Sequence, residues 1–191
     1  MKRVQKSGVF FVTLFLVGTM GVFAQINQIP KQLKQFTDEV IAPFGKNDVI
    51  VRAEADQNEE NLSLEEIQRR DREWRATEGV NEFMLELMSN DTALELLNLQ
   101  SRYHFIVEAF VMDNKGALVG LTSKTSDYWQ GDEAKFTESY AGGEGAVHYG
   151  EIEFDSSSSE IVIQVSVPVR TAVDAIGAIT FGISLDRWER R

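Results

Sequence analysis

The chain has 191 residues, 43% of them apolar and 26% charged, with 30 acidic against 19 basic side chains and no cysteine. A net charge of −11 disfavours nucleic acid and anionic lipid as partners. The missing thiols exclude disulfides, thiolate metal sites and a cysteine nucleophile.

Lys2, Arg3 and Lys6 precede an apolar run from Gly8 to Phe23, and Val22-Phe23-Ala24 has the residue sizes a signal peptidase accepts. Residues 1–24 are therefore expected to be a secretory signal peptide, cut after Ala24, that releases the rest into the periplasm. The alternative, an uncleaved anchor, is disfavoured because the run is shorter than the ~20 residues a spanning helix needs. A lipid anchor is excluded because no cysteine can carry it. The leader holds three of the 19 basic residues and none of the 30 acids, so residues 25–191 carry 16 basic and 30 acidic side chains, a net of −14. That length suits one domain with a full core.

Ile26, Ile29, Leu33, Phe36, Val40 and Phe44 recur at steps of three and four, which predicts an amphipathic helix over residues 26–44. Pro30 fits its first turn and Gly45 its stop. The stripe suits packing on the domain's own core, or a homodimer seam. Val49 to Ala53 reads as a short apolar segment and Glu54 to Asn61 as a polar loop. Ser63 and Glu66 form a capping box, and Leu62 and Ile67 a hydrophobic staple, for a helix whose face runs Leu64, Ile67, Asp71, Trp74. Asp71 on that stripe either lies at its edge in water or accepts buried hydrogen bonds; the flanking Ile67 and Trp74 favour the second. Val80, Phe83, Met84, Leu87 and Met88 mark another helix face. Thr92 and Glu95 read as a second capping box opening Ala93 to Leu99.

From His104 the period falls to two. Strands are expected over Phe105–Met112, Ala117–Thr122, Val147–Phe154, Ile161–Val169 and Ile176–Leu185. Asp113 to Gly116 turns the first hairpin. A loop and a short helix fill Ser123 to Tyr140, and the glycines from 142 to 145 make a break. Helices followed by strands imply an α+β domain with an antiparallel sheet.

Several of these residues resemble a known family. Val111 to Gly116, Thr125-Ser126-Asp127-Tyr128-Trp129-Gln130-Gly131-Asp132-Glu133-Ala134-Lys135-Phe136, Gln164 to Val169, Ile176 to Thr180 and the Ile67, Asp71, Trp74 pattern are similar to single Cache domains. These PAS-like extracytoplasmic sensors are also called PDC domains, and the likeness is greatest to their free-standing periplasmic members. The resemblance covers nearly all of the chain after the leader. It implies a long N-terminal helix, a five-stranded sheet, and a pocket between the sheet and the segment after the second strand. It implies a small ligand, such as an amino acid or short carboxylic acid, and a role in signal transduction. No second apolar span follows Leu185, so the expected output passes through a separate membrane receptor or histidine kinase.

Within the implied pocket, Tyr128 and Trp129 offer aromatic faces, Lys135 a cation for a carboxylate, and Asp132 a partner for an ammonium group or for Lys135. The competing reading makes this block a structural knot, with Asp127 capping the short helix. On the fourth strand Ile161, Ile163, Val165, Val167 and Val169 share one face, and Val162, Gln164, Ser166 and Pro168 the other. The fifth strand sets Ala178, Thr180, Gly182 and Ser184 on that second face. A small, uncharged face suggests a wet cavity, which makes Gln164, Ser166 and Thr180 ligand candidates. Pro168 needs a strand end or edge. His104 and His148 lack metal-ligand spacing, and no nucleophile elbow or phosphate loop is present. The expectation is a binding protein without cofactor, metal or catalysis. Its alternative is an interaction scaffold with a vestigial pocket.

Overall fold

The computed structural model describes residues 29–155 and 159–191. The signal-peptide expectation and the start of the first helix lie outside the described residues. Helix α1 (Lys31–Phe36) runs through a π-helical turn (Thr37–Ile41) into α2 (Ala42–Phe44). Pro43 has no N–H for the carbonyl four residues back, and the ladder widens beside it, with the Ala42 N–H reaching back five residues to Thr37. Leu33, Thr37 and Ile41 are fully buried and face the chain's own core. The described part of the apolar stripe thus packs on the chain's own core, with Ile29, Phe36, Val40 and Phe44 only partly buried. Gly45 ends this run at φ −63°, so it is there for close approach rather than for a left-handed turn. A Cβ would collide with the Pro168 carbonyl, and Gly45 O accepts from Arg170 N at 2.9 Å.

The expected apolar segment and polar loop over Val49–Asn61 are instead one helix, α3 (Asp48–Glu60), capped by Asn47 Oδ1 accepting from Val49 N at 2.9 Å. The reason is that its inner face docks by polar side chains. Asn58 Nδ2 donates to Ile176 O, and Gln57 Nε2 to Asp113 Oδ2, each at 2.8 Å. Helix α4 (Leu64–Ala76) begins at Ser63 as expected, with Ser63 Oγ accepting from Glu66 N at 3.2 Å. Only that half of the box closes, because Glu66 turns to Arg69 and Arg70. After α5 (Glu82–Ser89), helix α6 (Asp91–Arg102) is capped by Asn90 rather than Thr92. Asn90 does two jobs: Oδ1 accepts from Ala93 N at 2.9 Å, and Nδ2 donates to Val119 O at 2.8 Å. Thr92 lies buried inside the first turn, and its hydroxyl has no partner among the described residues.

The strands are β1 (Ile106–Met112), β2 (Leu118–Leu121), β3 (His148–Asp155), β4 (Glu160–Arg170) and β5 (Ala175–Ser184), each end within one residue of expectation. They form one antiparallel sheet in the order β2-β1-β5-β4-β3. Helix α7 (Ala134–Tyr140) lies between β2 and β3, and α8 (Leu185–Trp188) follows β5. This is the α+β, five-stranded architecture expected. β3 pairs with β4 only as far as Ser166, so Pro168 sits where β4 is an edge.

The two faces divide as the alternation predicts, with one correction. Ile163, Val165, Val167, Val169, Ile179, Phe181 and Ile183 build a core with Leu33, Ile41, Ile50 and Leu96. The second face is not a wet cavity along its length. α7 packs against β3, β4 and β5 there, and Ser166 Oγ and Thr180 Oγ1 are fully buried and 2.8 Å apart. The residues are small because a helix lies close on them, and the paired hydroxyls need no water. Nearer β2, a second core joins Phe110, Met112, Leu118 and Ala178 to Ile67, Trp74, Met84, Tyr128 and Phe136.

Candidate functional site

The segment after β2 is held by its main chain. Asp71, on the buried face of α4, accepts from Tyr128 N at 3.0 Å and Trp129 N at 3.1 Å through Oδ1, while Oδ2 meets Arg75 at 2.7 Å. The expectation of a buried, hydrogen-bonded Asp71 is therefore met. Trp74 Nε1 donates to Thr125 O at 2.9 Å, Trp129 Nε1 to Lys115 O at 2.8 Å, and Gln130 N to Gly116 O at 2.8 Å. Asp127 does not cap α7; Glu133 occupies that position with no side-chain cap bond. Asp127 lies instead beside Ser126 at 3.0 Å and 3.8 Å from Arg75.

This anchoring sends the Tyr128 ring inward, against Trp74 at 5.9 Å and Phe83 at 5.4 Å between centroids. The three rings close one side of a cavity of about 580 Å³ between α3, α4, α5 and β2. Arg70 reaches it from α4, its guanidinium 5.6 Å from the Phe83 centroid and its Nε on Glu66 at 3.1 Å. Hydrogen bonds from Arg69 and Arg70 hold the Glu66 carboxyl down at about 2. Burial pushes the Tyr128 phenol up to about 12, with Arg70 pulling the other way, so near neutral pH it is an uncharged hydroxyl. Half-buried Gln57, Arg70 and Asn90 line the interior, whereas Asp56, Glu60, Glu73 and Glu86 stand exposed around the rim with Arg69, which pairs with Glu66 and Glu73. A cation inside, acids outside and aromatic walls can hold a small zwitterion at both ends.

The expected ligand residues do not gather in one place. Tyr128 lines this cavity. Lys135 and Gln164 line a second cleft of about 830 Å³ bounded by residues 123–126, α7, β3 and β4. Both are already satisfied there: Lys135 Nζ meets Glu133 at 2.9 Å and Gln130 Oε1 at 3.2 Å, and Gln164 Nε2 donates to Glu108 Oε1 at 3.0 Å. Trp129 is tied into the loop, Asp132 is exposed, and Ser166 and Thr180 bind one another beneath α7. Arg70 and Gln57 were not singled out in the sequence, and Phe83 was read only as part of a helix's apolar face. Arg70 had a readable signal, a base four residues before Trp74 on the same helix face. Among the described residues no group of three or more His, Asp or Glu side chains converges on a metal-sized site, and no helix is long and apolar enough to cross a membrane.

No family model and no curated relative matches the chain. Among solved structures it is similar to the sensor domain of the V. cholerae histidine kinase DctB, at 14% identity and a TM-score of 0.44, over 83% of this chain and 55% of that one. It is similar to the ligand-binding domain of the Campylobacter jejuni chemoreceptor Tlp3 in complex with 4-methylisoleucine, at 13% and 0.43, over 82% and 65%. A third is the ligand-binding domain of the Pseudomonas aeruginosa PAO1 amino acid chemoreceptor PctC in complex with GABA, at 12% and 0.38, over 81% and 62%. The chain thus spans less than two thirds of the length of these three chains.

Proposed function

We propose that the chain is a non-catalytic, Cache-type sensor module that binds a small carboxylate or amino acid in the periplasm and acts through a separate membrane receptor or histidine kinase. The observation that carries this reading is the cavity behind Tyr128, with its aromatic wall, half-buried Arg70 and acidic rim. A ligand carboxylate would meet Arg70 and the Tyr128 hydroxyl, its apolar part the three rings, and an ammonium group the rim. Occupancy would be felt by Tyr128, whose main chain Asp71 ties to α4, and so by the whole loop after β2. Export rests on the basic and apolar leader at residues 1–24.

The second reading, an interaction scaffold with a vestigial pocket, is favoured by the satisfied Lys135 and Gln164 and by the α7-covered face. A thermal-shift screen of amino acids and short organic acids separates the two, because a ligand that binds only the folded state raises the melting temperature. The sensor reading expects one chemical class to stand out. A flat response across the screen supports the scaffold.

A further inference from the structure

Glu54, in the middle of α3, is fully buried, and neither carboxyl oxygen has a hydrogen-bond partner among the described residues. It presses on the seam between β1 and β5. A methyl group at Gly177 would collide with both Glu54 Oε2 and the Met112 carbonyl oxygen, so glycine at 177 leaves room for the acid and puts it beside that carbonyl. The charged group facing it is Asp113, at the end of β1, while Tyr140 of α7 feels Glu54, Asp113 and Asp174 together. Lys115 Nζ donates to Asn61 Oδ1 and the Leu62 carbonyl.

The two buried acids differ in what they receive. Asp113 accepts from Gln57 Nε2, Lys115 N and Ala117 N at 2.8, 2.8 and 2.9 Å, the surroundings of an ionised carboxylate. Glu54 accepts from nothing among the described residues, and a buried carboxylate without donors beside a second negative charge is strongly disfavoured. We infer that Glu54 is a neutral carboxylic acid in the folded protein, donating its proton to the Met112 carbonyl, and that it latches α3 to the β1–β5 seam only while that proton is present. Burial first, and the Asp113 charge second, push its titration well above the ordinary carboxylate range. Losing the proton unlatches α3, which also supplies Ala53, Asp56, Gln57 and Glu60 to the cavity wall. The latch makes the fold sensitive to alkaline conditions whether or not the cavity is occupied.

Because the folded value lies above the unfolded one, the contribution is complete at low pH and is lost as pH rises from the unfolded carboxyl's value through the folded one. Thermal melts from pH 5.5 to 8.5 compare the wild type with Glu54→Gln, whose amide can still donate to Met112 O but cannot ionise. The melting temperature of the wild type is expected to fall relative to the variant as pH rises, by up to about 3–5 °C per pH unit. Parallel curves overturn the latch. Should Glu54→Gln fail to fold, infrared spectra of the wild type keep the test open. A buried carboxylic-acid C=O stretch at neutral pH that vanishes at alkaline pH is expected, and its absence at neutral pH overturns the assignment.

Discussion

Replacing Asp71 by alanine removes the acceptor that two main-chain N–H groups share at the start of the Tyr128 segment. Tyr128 is 1% exposed and Asp71 3%, so water cannot readily take the carboxylate's place. Each buried donor left unsatisfied costs ~1–3 kcal/mol. The Arg75 contact adds little, because the arginine side chain is 56% exposed and such pairs are worth at most ~1 kcal/mol. A loss of roughly 3 kcal/mol corresponds to about 6–12 °C in the melting temperature for a domain of this size. Asp71→Asn keeps one acceptor oxygen and should lose less than half as much. Thermal melts measure the total, and hydrogen exchange measured by NMR locates it, since the Tyr128 and Trp129 amides should lose protection. An Asp71→Ala protein that melts like the wild type, or one that melts early with those two amides still protected, would refute the reasoning.

The cap of α6 makes a paired prediction. Asn90→Ala should cost about 1–2 kcal/mol in denaturant melts, whereas Thr92→Val should cost nothing or stabilise, because the Thr92 hydroxyl is buried without a partner among the described residues. The reverse ranking would return the cap to Thr92. Beneath α7, Thr180→Val should cost ~1–3 kcal/mol by stranding the Ser166 hydroxyl, and the double change with Ser166→Ala should recover most of it. A double-mutant cycle without coupling would mean that water shares the site.

Periodicity made the strands and their apolar face legible, because Ile163, Val165, Val167 and Val169 answer to burial alone. Asp71 was legible for a related reason: a carboxylate amid Ile67 and Trp74 must find donors. Helix α3 was not, since Glu54, Gln57 and Asn58 dock it through polar chemistry that hydropathy reads as loop. The second face misled differently. Small uncharged residues line a cavity or admit a close helix, and alternation along a strand carries no information about which. The cavity was only half visible, since Tyr128 lies in a noticeable block but Arg70, Phe83 and Gln57 come from three helices whose convergence depends on tertiary packing.

The most direct test of the sensor account is calorimetric titration of the compound that most raises the melting temperature into the wild type, Arg70→Ala and Lys135→Ala. A hydrogen bond between charged groups is worth ~1.5–3 kcal/mol, so Arg70→Ala should weaken binding by roughly ten- to a hundredfold. Lys135, already held by Glu133 and Gln130, should be replaceable with little loss. Weakening by Lys135→Ala alone, with Arg70→Ala still binding at full strength, would contradict the assignment of the ligand to the cavity behind Tyr128.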